Sequence, residues 1–293
     1  VAGSTGISKP TGGRACAAVV KADAYGHGAT QVAKHIETQV DALAVAITEE
    51  AITLREAGVA TPILVLEGPQ SEDEISLMAE MALWPTLHHN EQLSWFGRQA
   101  SPMTSSWLKI DTGMHRLGLS KETLPQALSA VHAAGITDIT LMSHLATAEH
   151  PEAELTRLQQ ARWREQLQGW SGAVSLHNSA AVRTGATGAS DWARLGYALY
   201  GGQIKGLPTD EILRPAMRFT TSVLALRDVR RGESVGYGGR WVAQRDSRIA
   251  TLPVGYADGY PWAARDGTPI GIADHTAPLA GQVSMDMVTV DVT

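Results

Sequence analysis

The chain has 293 residues, 44% hydrophobic and 18% charged, which excludes a disordered or fibrous polymer and allows one large domain plus part of a second. Its 24 basic and 30 acidic residues give a net charge of -6, so nothing attracts nucleic acid or an anionic membrane globally, and any phosphate site must be built locally. The single cysteine, Cys16, excludes an intrachain disulfide and a cysteine-based metal site, and no metal is expected. No apolar run reaches the roughly 18 residues of a membrane helix. The amino-terminal lead lacks the apolar core of a signal peptide, so the cytoplasm is the expected compartment.

Eight short apolar runs follow in chain order: CAAVVKA from Cys16, ALAVAI from Ala42, PILVLEG from Pro62, LWPTLHH from Leu83, WLKID from Trp107, ITLMSHL from Ile139, VSLHN from Val174 and ARLGYALYG from Ala193. They lack strict alternation, as strands buried on both faces do. Helical patterns lie between them. Ser71 to Glu74 reads as a capping box. Pro151 reads as the first residue of a helix, with Leu155, Leu158 and Ala161 as its apolar face. After Arg214 and Pro215 the pattern changes to short β-type runs with glycine turns: SVLALRDV, SVGYGGRW, RIATLPVGY and APLAGQVSMDMVTVDV. The expected fold is α/β: a (β/α)8 TIM-type barrel over 1–214, then an all-β C-terminal domain over 215–293. That domain ends inside a strand-like run and is expected to be incomplete.

A barrel of this kind builds its active site at the C-terminal ends of its strands. Strand one ends in Lys21, followed by Tyr25, Gly26 and Gly28. A lysine at the edge of an apolar run costs desolvation unless its charge or its chemistry is used. A tyrosine hydroxyl beside a glycine-opened helix start is a phosphate contact in outline. Strand five ends in Lys109 and continues to Arg116; strand six ends in Ser143 and His144; strand seven leads into Asn178 and Ser179; strand eight carries Arg194 and Gly196. Each has a bland explanation alone: a snorkelling lysine, a satisfied core histidine, a structural ion pair. Together they make a basic barrel mouth on an acidic chain, suited to a phosphate and a carboxylate.

The stretch from Ala18 to Gly28 resembles the pyridoxal-phosphate lysine signature of alanine racemases. Lys109 to Gly118, Val235 to Gly239, Gly255 to Tyr260 and Val283 to Met287 resemble the same family in the same order. The resemblance implies pyridoxal 5'-phosphate as cofactor, alanine as substrate, and a homodimer whose sites join the barrel of one subunit to the β domain of its partner. It implies that Lys21 bears the cofactor and that Tyr237, from the partner, is the opposing base. Arg194 would face the pyridine nitrogen with His144 hydrogen-bonded behind it. Tyr25, Asn178, Ser179 and the amides of Gly196 and Tyr197 would serve the cofactor and its phosphate. Arg116 and the Met285 amide would hold the substrate, with Tyr256 and Asp286 behind them or at the entrance. Lys109 matches a position carbamylated in some relatives. The sequence departs from the family pattern at Asp23, where many relatives have Asn, and at Leu195, where proline is common.

Racemisation removes the Cα proton and returns it on the other face, which two opposed bases do most directly. Lys21 can serve one face. Tyr237 can serve the other if a cationic network of His144 and Arg194 favours its phenolate, since a free tyrosine has a pKa of about 10. By themselves, Tyr237 reads as a turn residue and Met285 as core packing. Three alternatives stay open: a racemase or decarboxylase for another amino acid, a non-catalytic pyridoxal-phosphate-binding protein, and a catalytically impaired fragment.

Overall fold

The computed structural model describes residues 14–96, 103, 105–209 and 212–293. The Gly/Ser/Pro-rich lead before Arg14 lies outside them. The chain divides into two compact units, Val1–Met217 and Arg218–Thr293.

The first unit is a parallel barrel. Its strands are β1 (Ala15–Val19), β2 (Ala42–Val45), β3 (Ile63–Val65), β4 (Leu83–Leu87), β5 (Ser105–Lys109), β6 (Asp138–Met142), β7 (Val174–Ser175) and β8 (Trp192–Leu195). Hydrogen bonding runs β7-β6-β5-β4-β3-β2-β1-β8, and a bridge between His177 and Ala193 closes the ring. Each of the eight apolar runs forms one of these strands. Alternation along a strand sends every second side chain inward. Val19, Ala44, Leu64, Trp107 and Met142 cluster inside with Trp84 and Trp192 against them. Trp192 meets Trp107 edge-on at 5.5 Å and Trp84 at 5.9 Å between ring centroids. This indole plug fills the barrel below its mouth. A larger apolar layer lies between the barrel and the helices, with Trp163 fully buried in it.

Two local expectations are corrected, and one turn is new. The helix Glu72–Glu80 forms, but Ser71 makes no side-chain cap bond. Its would-be partner Glu74 instead accepts a 2.5 Å hydrogen bond from the Thr48 hydroxyl. The helix expected from Pro151 begins at Glu154, behind Ala153 in extended backbone. Its buried face is Thr156, Gln159, Gln160 and Trp163, while Leu158 is exposed. The polar face wins because Gln159 and Thr156 bond to the β6 loop and its neighbours. The glycine-opened helix expected after Lys21 does form, as Ala29–Ile36 behind Gly28, but it is preceded by a turn that the sequence did not suggest. Ala22, Asp23, Ala24 and Tyr25 all have φ between 51° and 56°, a left-handed turn.

The second unit is antiparallel. It holds a sheet of β9 (Ala225–Val229), β12 (Ser247–Leu252) and β15 (Val288–Asp291), with β12 central. Two ribbons join it: β10 (Ser234–Val235) with β11 (Trp241–Val242), and β13 (Pro269–Ile272) with β14 (His275–Pro278). The β13 strand was not legible in the sequence. Among the described residues no helix is long and apolar enough to cross a membrane.

Candidate active site

The barrel mouth opens into a cavity of about 490 Å³. Every candidate assigned to the first unit lines it: Lys21 and Tyr25 from the end of β1, Lys109 and Arg116 from β5 and its loop, His144 after β6, Asn178 and Ser179 after β7, and Arg194, Gly196 and Tyr197 from β8 and its turn. Strand alternation explains part of this. Lys109 stands two residues beyond Trp107 and Arg194 two residues beyond Trp192, on the same inward face and above the indole plug.

Arg194 is buried without a carboxylate partner among the described residues. One terminal nitrogen donates to the Ser175 carbonyl at 3.0 Å and its hydroxyl at 2.5 Å. The other donates to the Ser143 carbonyl at 2.6 Å and meets His144 Nδ1 at 3.3 Å. The Nε–H makes no hydrogen bond among the described residues, so one donor of the fork remains for a ligand acceptor. Burial lowers the Arg194 pKa to about 10, which still leaves it a cation near neutral pH. Asp191, the nearest acid in sequence, lies at the other end of β8, where its carboxylate accepts the Val174 amide.

His144 is not part of a cationic network. Burial first, then Arg194, Lys109, Arg116 and Lys21, lower its pKa to about 3, so the imidazole is neutral. The charge behind the site is carried by arginine. Lys109 is also depressed, to about 8, by burial and then by Arg194, Arg116 and Lys21, with Asp111 opposing. Asp111 is occupied by the amides of Gly113, Met114 and His115, at 2.8 to 3.1 Å. The cavity lining thus holds four basic side chains, Lys21, Lys109, Arg116 and Arg194, against the single carboxylate of Glu67.

An anion cradle lies at the other side. The Ser179 hydroxyl accepts the amides of Gly196 and Ala198, each at 3.2 Å. The Tyr197 amide between them makes no hydrogen bond among the described residues. A Cβ on Gly196 would stand 2.3 Å from the Tyr25 hydroxyl, so only glycine lets the phenol reach these amides. Burial raises the Tyr25 pKa, keeping it a hydroxyl donor. Hydroxyls and backbone amides converging beneath excess positive charge fit a phosphoryl group, and the free Arg194 Nε–H fits a ring nitrogen. The residues present therefore suit pyridoxal phosphate.

Asn178 has a clear local duty. Its side chain caps the helix Ser179–Thr184 by accepting the Ala181 amide at 2.9 Å, and it donates to the Leu145 carbonyl at 3.3 Å. Gln159, which the sequence did not single out, is fully buried. It accepts the Ala146 amide at 2.9 Å and donates to the His144 carbonyl at 2.9 Å, fixing the loop that carries His144.

In the second unit the remaining candidates also gather. Tyr237 begins a short turn, Tyr237–Gly239, between β10 and β11, and is 75% exposed. It lines one cleft with Ser284 and Met287. The Tyr256 and Ala257 amides donate to the Ser284 and Met285 carbonyls at 3.1 and 3.0 Å. Met285, Asp286 and Tyr256 are all exposed.

Comparison with known proteins follows the same division. The family models for the alanine racemase N-terminal domain and C-terminal domain match residues 7–204 and 216–293. Alanine racemase of Xanthomonas campestris pv. campestris is 42% identical over 293 residues, covering 98% of this chain and 81% of that protein. The crystal structure of biosynthetic alanine racemase from Pseudomonas aeruginosa superposes with a TM-score of 0.88 at 40% identity, covering 97% of this chain and 80% of the other. That of alanine racemase from Bartonella henselae with covalently bound pyridoxal phosphate gives 0.82 at 28% identity, with 97% and 80% covered.

Proposed function

The chain belongs to the alanine racemase family, and on that premise we propose that it interconverts L- and D-alanine using pyridoxal phosphate held at the barrel mouth by Lys21. The observation that carries this reading is the cavity itself. It gathers a lysine, an arginine with one unspent donor, and a hydroxyl–amide cradle at the ends of different strands. Residues 1–214 form the cofactor-binding barrel and 215–293 the β domain in this reading, and the cytoplasm is its compartment.

Pyridoxal phosphate, when bound, supplies the electron sink that makes the Cα proton of an amino acid removable. The chain's own groups do the rest. Tyr25, Ser179 and the amides of Gly196 and Tyr197 hold the phosphate. Arg194 donates through Nε to the ring nitrogen without protonating it, because its pKa of about 10 keeps the proton on the guanidinium. Arg116 takes the substrate carboxylate. Lys21 Nζ gives or takes the Cα proton on one face.

The other face is served by the Tyr237 hydroxyl of the partner subunit, in a homodimer with shared sites. The exposure of Tyr237, and of Met285 and Tyr256 near it, supports this, since such groups suit a surface offered to another molecule. Lys109, with a pKa of about 8, has the neutral amine fraction that carbamylation requires. A carbamate there would set a negative charge beside Arg116 and orient it.

Two measurements test the function. Borohydride reduction and peptide mapping should place the pyridoxyl group on Lys21, and chiral chromatography should show L-alanine converted to a racemic mixture. A stable adduct on another lysine, or no D-alanine from the loaded protein, refutes it.

A further inference from the structure

The left-handed turn after Lys21 needs an external hold. Four successive residues with side chains, Ala22 to Tyr25, occupy a conformation that L-residues avoid, and such backbone persists only where its surroundings over-determine it. Its far end is tied by the Asp23 carboxylate, which accepts the Ala29 amide at 2.6 Å, and by Tyr25 packing on Tyr200 at 4.7 Å. Its near end, at the residue after Lys21, is tied by Glu50. One Glu50 carboxylate oxygen accepts the Ala22 amide at 2.6 Å and the other accepts the Ala46 amide at 2.7 Å.

The placement has a structural logic. The β1–β2 ladder pairs Val19 with Ala44, and the Val20 amide still reaches the Ala44 carbonyl at 2.8 Å. Ala22 and Ala46 are each two residues beyond that last rung. There the left-handed turn takes β1 away from its neighbour, and the Glu50 carboxylate bridges the two chains in place of the ladder. Glu50 stands in the first turn of the helix Thr48–Glu56, which follows β2 directly.

We propose that Glu50 is a positioning residue for Lys21: its carboxylate holds the peptide that follows the lysine, and so aims the amine at the cofactor aldehyde. The proposal rests on the reading of Lys21 as the cofactor-bearing lysine. Only a carboxylate offers acceptors on both oxygens; an amide would set a donor against one of the two N–H groups. The phosphate cradle depends less on Glu50, because Ser179 and Gly196 follow β7 and β8, and Tyr25, although on the same turn, is held at its own end by packing on Tyr200.

The test compares two ligands in the full chain. Pyridoxal phosphate can bond covalently to Lys21; pyridoxine 5'-phosphate has the same phosphate and ring but no aldehyde. Glu50→Gln should weaken pyridoxal phosphate about tenfold or more and lower the borohydride-trapped yield on Lys21. The same variant should bind pyridoxine phosphate within about twofold of the wild type. Glu49→Gln, on the same helix but exposed, should leave both unchanged. Equal affinities of Glu50→Gln and wild type for pyridoxal phosphate overturn the proposal, as does an equal loss for both ligands, which reports a collapsed site. If Glu50→Gln does not fold by circular dichroism, Glu50→Asp carries the same comparison. Failure of both to fold assigns Glu50 to the scaffold and also overturns the proposal. A wild-type protein with no pyridoxyl group on Lys21 refutes the functional reading itself, and that outcome is separable because it appears before any variant is made.

Discussion

Gly196 and Tyr25 approach so closely that a methyl group on the glycine would stand 2.3 Å from the phenol oxygen. The contact joins the turn after β8 to the turn after β1 and shapes the cradle on that side of the cavity. Gly196→Ala should push the Tyr25 hydroxyl out of the cradle. The expected result is pyridoxal phosphate affinity reduced about tenfold, the equivalent of one lost hydrogen bond to a charged group. Unfolding free energy should change much less, because the displaced atom is the tip of a side chain at a cavity. Cofactor titration alongside denaturant unfolding separates the two effects.

Arg194 is expected to resist conservative replacement. Lysine keeps the charge but cannot span Ser175, Ser143 and His144 with a planar fork. Arg194→Lys should cost ~2 kcal/mol of stability through carbonyls left without donors. An unchanged urea midpoint and slope would contradict this account of the buried guanidinium.

Lys109 should leave a mark on the pH dependence of stability. Its pKa is about 8 in the folded protein, against an ordinary 10.5. Between those values the unfolded chain still holds a proton that the folded protein has released. Stability from this group therefore rises with pH across the window, and below pH 8 the cost of its buried charge is fully present. The rise should be on the order of 3 kcal/mol. Urea unfolding in carbon-dioxide-free buffer at several pH values should show it in the wild type and not in Lys109→Met. The same slope in both proteins would assign the effect elsewhere.

The proposed sharing of sites between subunits is tested by a mixing experiment. Lys21→Ala and Tyr237→Phe should each be inactive as pure dimers. A mixed dimer contains one site with both bases intact, so subunit exchange should restore part of the activity. Dimer formation by each variant is measured first, by sedimentation. Exchange without recovered activity would rule out a second base from the partner.

The sequence by itself determined the barrel and the kinds of group at its mouth. Runs such as ALAVAI and PILVLEG have no polar face to offer water, so they could only become strands buried on both sides. A lysine or arginine closing such a run was legible for the same reason, as a charge with no cheap place in a core. The ordered motifs, and not the periodicity, carried the roles proposed for Tyr237 and Met285. What only the tertiary structure decided were the features that depend on distant neighbours. The charge state of His144 follows from burial beside arginine and lysines on three other segments, and no spacing along the chain encodes it. The face of the helix Glu154–Gln166 was set by hydrogen bonds from Gln159 to a loop, which outweighed the apolar pattern of Leu155 and Leu158. The left-handed turn after Lys21 contradicts local preference at four residues. It stands because the Glu50 carboxylate accepts the Ala22 amide and Tyr25 packs on Tyr200, long-range contacts that intrinsic propensity cannot represent, with the Asp23 carboxylate accepting the Ala29 amide locally.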